Sequence, residues 1–229
     1  MGAVKIVVAI DGFSACGKST MAKQLAKYAD YIYVDTGAMY RAVGLFCVQN
    51  NLINEKSINE NVLAEKIDDI KIHFENINGV QHTFLNGQDV ENQIRTLEIG
   101  NAASRVSAIG FVRHALVAMQ QKMGAQKGVV MDGRDIGTVV FPNAELKIFV
   151  TASAEVRAKR RYDELLQNGQ NADYQQVLDG INERDHRDSN REESPLYQAE
   201  DAFLLDNSNL TREQQFEIVK KWFEEIVAA

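Results

Sequence analysis

Gly12-Phe13-Ser14-Ala15-Cys16-Gly17-Lys18-Ser19 decides how the rest of this 229-residue chain is read. The stretch fits G-x-x-x-x-G-K-[ST], a loop whose backbone N–H groups cradle phosphates. Residues 4–10 are apolar except for Lys5 and predict a buried strand; residues 18–29 predict a helix with Met21, Leu25 and Tyr28 on one face. The loop therefore joins a strand to a helix N-terminus, where N–H groups and the helix dipole favour an anion. Lys18 is expected to reach the terminal phosphates of a triphosphate, and the Ser19 hydroxyl to ligate Mg²⁺. Gly12 to Ser19, with Thr20 after them, are the candidate triphosphate contacts.

Composition bounds the answer. A hydrophobic share of 45% with only 2 prolines suits one compact α/β domain with insertions. The net charge of −7 argues against nonspecific binding to nucleic acid or to a membrane surface. No apolar run approaches the roughly 18 residues of a membrane span. Asp11 cuts the first apolar run short, so no signal peptide is expected. Two cysteines, Cys16 and Cys47, make neither a disulfide framework nor a metal site. These features predict a cytoplasmic protein. Arg157, Arg160, Arg161, Arg184, Arg187 and Arg191 are half of its twelve arginines and fall within 35 residues. Arginine suits bidentate phosphate contacts, so this cluster in an acidic chain points to a small anionic ligand.

Downstream, a strand is expected at residues 31–34 and a helix at 38–49. Ser57-Ile58-Asn59-Glu60 reads as a capping box opening another helix. Residues 71–75 and 81–85 read as a hairpin turning at Asn78-Gly79, in an inserted lobe rather than in the central sheet. Residues 91–126 read as two helices bent near Gly110. Strands follow at 128–131 and 146–150, a helix at 153–167, a polar loop at 168–171 and a helix at 173–191. A last strand at 202–205 precedes a second capping box, Thr211-Arg212-Glu213-Gln214, and a closing helix burying Phe216, Val219, Trp222, Phe223 and Ile226. Apolar strands alternating with helices predict a parallel sheet covered on both faces. Polar signatures at 11–19, 35–41 and 132–135 follow three strands, the ends at which such sheets bind ligands, so they are expected to share one cleft.

Arg184, Asp188 and Arg191 stand at i, i+4 and i+7, one face of a helix, with the acid orienting two arginines toward a phosphate. In Asp132-Gly133-Arg134-Asp135, Arg134 is a candidate phosphate clamp and Asp132 a candidate on the metal side. Arg113 sits in an apolar helix, where a long side chain can simply snorkel to water. Three lookalikes fail. Cys16 replaces the second Gly of a G-x-S-x-G nucleophile elbow. His186-Arg187-Asp188 imitates a protein-kinase catalytic loop, but Glu193 replaces its Asn and neither D-F-G nor A-P-E exists. The four histidines lack ligand-pair spacing.

With these residues in view, the chain resembles the bacterial-type cytidylate kinases, among the P-loop nucleoside monophosphate kinases, from about Lys5 to the final helix. The likeness rests on Ile10-Asp11-Gly12, Asp35-Thr36-Gly37-Ala38-Met39-Tyr40-Arg41, Asn101-Ala102-Ala103-Ser104, Glu183-Arg184-Asp185 through Arg191, and above all Asp132-Gly133-Arg134-Asp135-Ile136-Gly137-Thr138-Val139-Val140-Phe141-Pro142. It implies ATP-dependent phosphorylation of CMP and dCMP with Mg²⁺, with Lys18, Asp132, Arg134 and Arg191 catalytic. Arg41, Arg134 and Arg191 would grip the acceptor phosphate, with Thr36 and Tyr40 in the same acceptor site. Ser104, Arg113 and Asp135 would read cytosine; Arg184 and Asp188 would hold the ribose. Arg157 and Arg161 would belong to a lid over ATP. Thr36 stands where the family pattern has Ser, keeping the hydroxyl and adding a methyl. The implied division is a core of residues 1–36, 102–153 and 192–229, an acceptor lobe at 37–101 and a lid at 154–191, in a monomer. An acceptor phosphate is already anionic, so attack needs no general base. Catalysis then reduces to positioning and charge stabilisation in a site closed to water. From the residues alone, another small-acceptor kinase (for UMP, AMP or shikimate) and a slow nucleotide switch stay open, though no N-K-x-D guanine-reading motif supports the second.

Overall fold

The computed structural model describes residues 4–54, 56–167 and 169–228. Asn168, the first residue of the expected polar loop, lies outside them. The chain divides into two compact units, Met1–Val34 with Gly124–Ala229, and Asp35–Met123.

The first unit is built on a five-stranded sheet of order β2-β6-β1-β7-β8. Its strands are β1 (Val7–Gly12), β2 (Ile32–Asp35), β6 (Val129–Gly133), β7 (Leu146–Thr151) and β8 (Phe203–Asp206). β1 pairs in parallel with β6 on one side and β7 on the other, and β8 adds in parallel to β7. β1 starts three residues later than its apolar run because ladder pairing begins at Val7 opposite Val129, while Val4 is 64% exposed. It also runs on through Asp11 and Gly12.

Helices α1 (Lys18–Ala29), α6 (Ala154–Gln167), α7 (Tyr174–Asn190) and α8 (Arg212–Ala228) complete this unit. One sheet face, carrying Val8, Ile10, Val130, Ile148 and Val150, packs on Met21, Ala22 and Leu25 of α1 and on Val219 and Phe223 of α8. Tyr28 does not join that core. Half-exposed, it sets its ring edge against Phe216 and Phe223 and donates its hydroxyl to Glu224. Phe216, Trp222 and Ile226 are half-buried rather than buried. The α8 capping box forms as expected, Thr211 and Gln214 exchanging side-chain and backbone bonds at 2.9 and 3.2 Å.

The second unit contains α2 (Thr36–Gln49), α3 (Glu60–Lys66), α4 (Leu97–Val106) and α5 (Gly110–Gly124) with a separate antiparallel sheet β3-β4-β5. β3 (Ile72–Ile77) and β4 (Val80–Leu85) turn at Asn78 and Gly79, both at positive φ, as a two-residue hairpin requires. The third strand, β5 (Gln88–Asp89), is too short to signal itself in sequence. Asn59, not Ser57, caps α3: its carboxamide accepts from Val62 N–H, while the Ser57 hydroxyl bonds Asn54. The expected bend near Gly110 is a full break, with α4 ending at Val106 and α5 starting at Gly110. Gly44 lets α2 lie against α4, since a Cβ there would stand 2.9 Å from the Ala103 nitrogen. Among the described residues, no helix is long and apolar enough to cross a membrane.

Candidate active site

In strand order β2-β6-β1-β7, successive connections depart to opposite sides of β1, which opens a crevice beyond the carboxyl ends of β1, β6 and β7. The phosphate loop leaves β1 there. Gly12 at φ 142° passes so close to β7 that a Cβ would lie 2.0 Å from the Val150 carbonyl oxygen. Gly17 at φ 81° opens α1 without any capping side chain, which leaves that helix end for an anion. The loop is held from behind by Asn207, fully buried just past β8. Its amide donates to the Cys16 carbonyl at 2.6 Å and to Gln215, while its oxygen accepts from Arg160 at 2.9 Å.

Lys18 is buried and donates its ammonium to the Phe13 carbonyl, curled back over the loop. Burial first, and then the charge of Arg134, pull its pKa down to about 8. Ser19 donates its hydroxyl to Asp132 at 2.7 Å, and Tyr33 from β2 donates to the other Asp132 oxygen at 2.7 Å. A hydroxyl beside a buried carboxylate is a hard-oxygen donor set, and it fits Mg²⁺ with retained waters.

The arginine cluster meets its helical-face expectation at Arg184 and Asp188 but not at Arg191. Asp188 is buried near the end of α7 and accepts from Arg134 Nε at 2.8 Å. Arg184 Nε lies farther off, at 3.9 Å from the same carboxylate. Arg191 is not on the helix. It is the residue after α7, at φ −66° and ψ 146°, where its Nη2 lies 3.9 Å from Asp135 and its Nε donates to the Ser194 carbonyl. The i, i+7 match fails because the helix ends at Asn190. Asp188 is thus oriented first by Arg134, a residue distant in sequence. Burial opposes its charge, but Arg134, Arg184 and Arg191 together hold its carboxyl below the usual range.

Arg157 is buried at the start of α6. It donates to the Ala152 carbonyl at 2.9 Å, pairs with Asp185 at 2.5 Å, and stacks 5.1 Å over the Phe13 ring of the loop. Arg161, one turn on, pairs with Glu164 at the surface. Thr20 is exposed on the first turn of α1.

In the second unit, Asp35 caps α2 by accepting from Ala38 N–H at 2.9 Å, and its other oxygen takes Arg95 at 3.2 Å. Thr36 is buried at the first position of that helix, and Tyr40 and Arg41 follow half-buried one turn later. Arg113 does not snorkel: it is 2% exposed. Its guanidinium donates to the Ser107 carbonyl at 3.1 Å and sits 5.7 Å over the Tyr40 ring. The Ser107 hydroxyl in turn donates to the Ser104 carbonyl at 2.9 Å. The α4–α5 turn therefore links Ser104 and Arg113.

Tyr33, Asn207, Asp185, Arg95 and the carboxylate of Asp11 escaped the sequence reading. Tyr33, Asn207 and Asp11 lie at or just past apolar strands and Asp185 beside Arg184 in a helix, a signal legible only once burial is known. Arg95 lies in a short helical turn and is found only through its pairing with Asp35 and Glu91.

Similarity agrees with the geometry. The family model described as Cytidylate kinase matches residues 8–226. A cytidylate kinase of Bacteroides fragilis is 55% identical over 227 residues, covering 98% of this chain and 99% of its own. One of Parabacteroides distasonis is 58% identical over 214 residues, covering 92% and 93%. A solved structure of an uncharacterized protein from Eubacterium ventriosum superposes with a TM-score of 0.51 at 10% identity, over 97% of this chain and 99% of that one, a likeness of fold alone. Identity above half over nearly the full length is far beyond what a shared P-loop requires, and this chain belongs to the cytidylate kinase family.

Proposed function

We propose that this protein transfers the γ-phosphoryl group of ATP to CMP and dCMP. The observation that carries the reading is the pairing of a phosphate loop with a set of oriented arginines in one unit. Arg134 is locked to Asp188, and Arg191 stands beside Asp135. One grip suits a triphosphate, and the second suits a monophosphate.

In this reading the loop from Gly12 to Ser19 holds the donor phosphates, with Lys18 swinging from the Phe13 carbonyl to the transferred group. Mg²⁺, held by Ser19 with Asp132 behind it, would supply charge neutralisation across the donor phosphates. Arg134 and Arg191, with Arg41, hold the acceptor phosphate. Ser104, Arg113 and Asp135 read the base, Arg184 and Asp188 the ribose, and Thr36 and Tyr40 line the acceptor side. Arg157 and Arg161 act from a lid over ATP. The acceptor oxygen is already anionic, so no side chain need remove a proton. The site's wealth of Arg and Lys beside buried acids matches that demand: positioning and charge stabilisation, not acid–base relay.

A coupled assay with CMP, dCMP, UMP and AMP tests the proposal. Turnover should be highest with CMP and dCMP. A strong preference for AMP would overturn it.

A further inference from the structure

The segment after β6 is fastened to the central sheet by two buried charged side chains that belong to neither phosphate grip. Asp11 lies in β1 one residue before the phosphate loop and is 6% exposed. Its Oδ1 accepts from Ile136 N–H at 2.8 Å and its Oδ2 from Gly137 N–H at 2.7 Å. Lys147, on β7, donates to the Pro142 carbonyl at 2.6 Å and pairs with Asp201. The register sets Ala9 beside Lys147 and Asp11 beside Phe149. Asp11 and Lys147 therefore project from the same sheet face, opposite to that of Val8 and Ile10. Gly137 threads between them: a Cβ there would lie 3.2 Å from Lys147 Cδ and 3.4 Å from Asp11 Oδ2.

Residues Ile136–Val140 form a turn of π-helix, closed by Val140 N–H to the Asp135 carbonyl and Phe141 N–H to the Ile136 carbonyl. The first N–H groups of such a turn have no carbonyl within it to bond. Asp11 supplies both acceptors from outside, to the two residues that immediately follow Arg134 and Asp135. β1 is paired along both edges and cannot readily shift, and its Asp11 carboxylate holds the first two N–H groups of the turn.

We infer that Asp11 is a positioning residue for the acceptor nucleotide: from the central strand it sets where Arg134 and Asp135 stand relative to the phosphate loop. The inference rests on the acceptor role proposed above for those two residues. A carboxylate that merely stabilised the fold would affect both nucleotides alike. One that aims the Arg134-Asp135 turn should affect the acceptor selectively.

Asp11→Asn tests this, because the amide keeps the shape but turns an NH₂ toward one of the two N–H donors. The KM for the acceptor should rise about tenfold while the KM for ATP stays within about twofold. The acceptor is first taken from the monophosphate panel with the unaltered protein. Failure of CMP is thus visible there, and the split is read with whichever monophosphate is used. If Asp11→Asn does not fold, Gly137→Ala perturbs the same clamp from the other side and should give the same split. An unchanged acceptor KM in a folded variant, or equal rises for both substrates, overturns the inference.

Discussion

Ser19 and Asp132, 113 positions apart in the chain, share a hydrogen bond of 2.7 Å. It joins the first turn of α1 to the end of β6, and the second Asp132 oxygen is occupied by Tyr33. A carboxylate held on both oxygens has its orientation settled before any cation arrives. Asp132→Asn should raise the Mg²⁺ concentration for half-maximal velocity by about tenfold or more, as losses around a metal's ligands commonly do. Tyr33→Phe should raise it less. Velocity measured against Mg²⁺ at saturating nucleotide reads both.

Lys18 gives a proton signature. Its pKa is held down to about 8 by burial and then by Arg134, so near pH 8 about half of the nucleotide-free molecules carry a neutral lysine. A triphosphate restores the charge. ATP binding at pH 8 should take up about half a proton, and much less at pH 6.5 where Lys18 is already charged. Calorimetry in buffers of different ionisation enthalpy measures the uptake, and Lys18→Ala should abolish it.

The Arg134–Asp188 pair separates charge from geometry. Arg134→Lys keeps the charge but loses the Nε donor that Asp188 accepts. Transition-state stabilisation with CMP should fall by about 2–4 kcal/mol. Asp188 has a depressed folded-state pKa, so it contributes stability above the ordinary carboxylate pKa, and that stability is lost as pH falls through the folded value. Asp188→Asn should therefore flatten the acid limb of a denaturation-versus-pH profile as well as weaken the acceptor.

Gly12→Ala should fail at the level of the fold. Its φ of 142° disfavours any side chain, and the added carbon would stand 2.0 Å from backbone on β7. A loss of at least about 3 kcal/mol is expected in denaturant unfolding. Gly17→Ala, with open space around its Cβ, should cost less in stability.

Much of this was legible in the chain. The phosphate loop, α1 and the strands around them follow from local periodicity, because a strand buried on both faces is mostly apolar. α1 spans the expected residues, and the 71–85 hairpin forms a sheet of its own. Boundaries were harder. Asn59 displaced Ser57 as a cap because two competing side chains lay within three residues, and only the backbone path selects between them. Arg184 stays within ion-pair distance of Asp188, as helical spacing expects, but the shorter bond comes from Arg134, which reaches Asp188 from the end of β6 and which no helical spacing offers.

Sequence alone determined the phosphate loop, the alternation of strands and helices, and the residues that mark the family, since each is a short-range pattern written in consecutive positions. Tertiary structure decided which charges meet. Asp132 holds Ser19, Asp188 holds Arg134, and Asp11 holds the turn after Arg134. The reason is physical: a buried charge must find a partner, and the packing of strands, helices and turns, not distance along the chain, sets which partner is within reach.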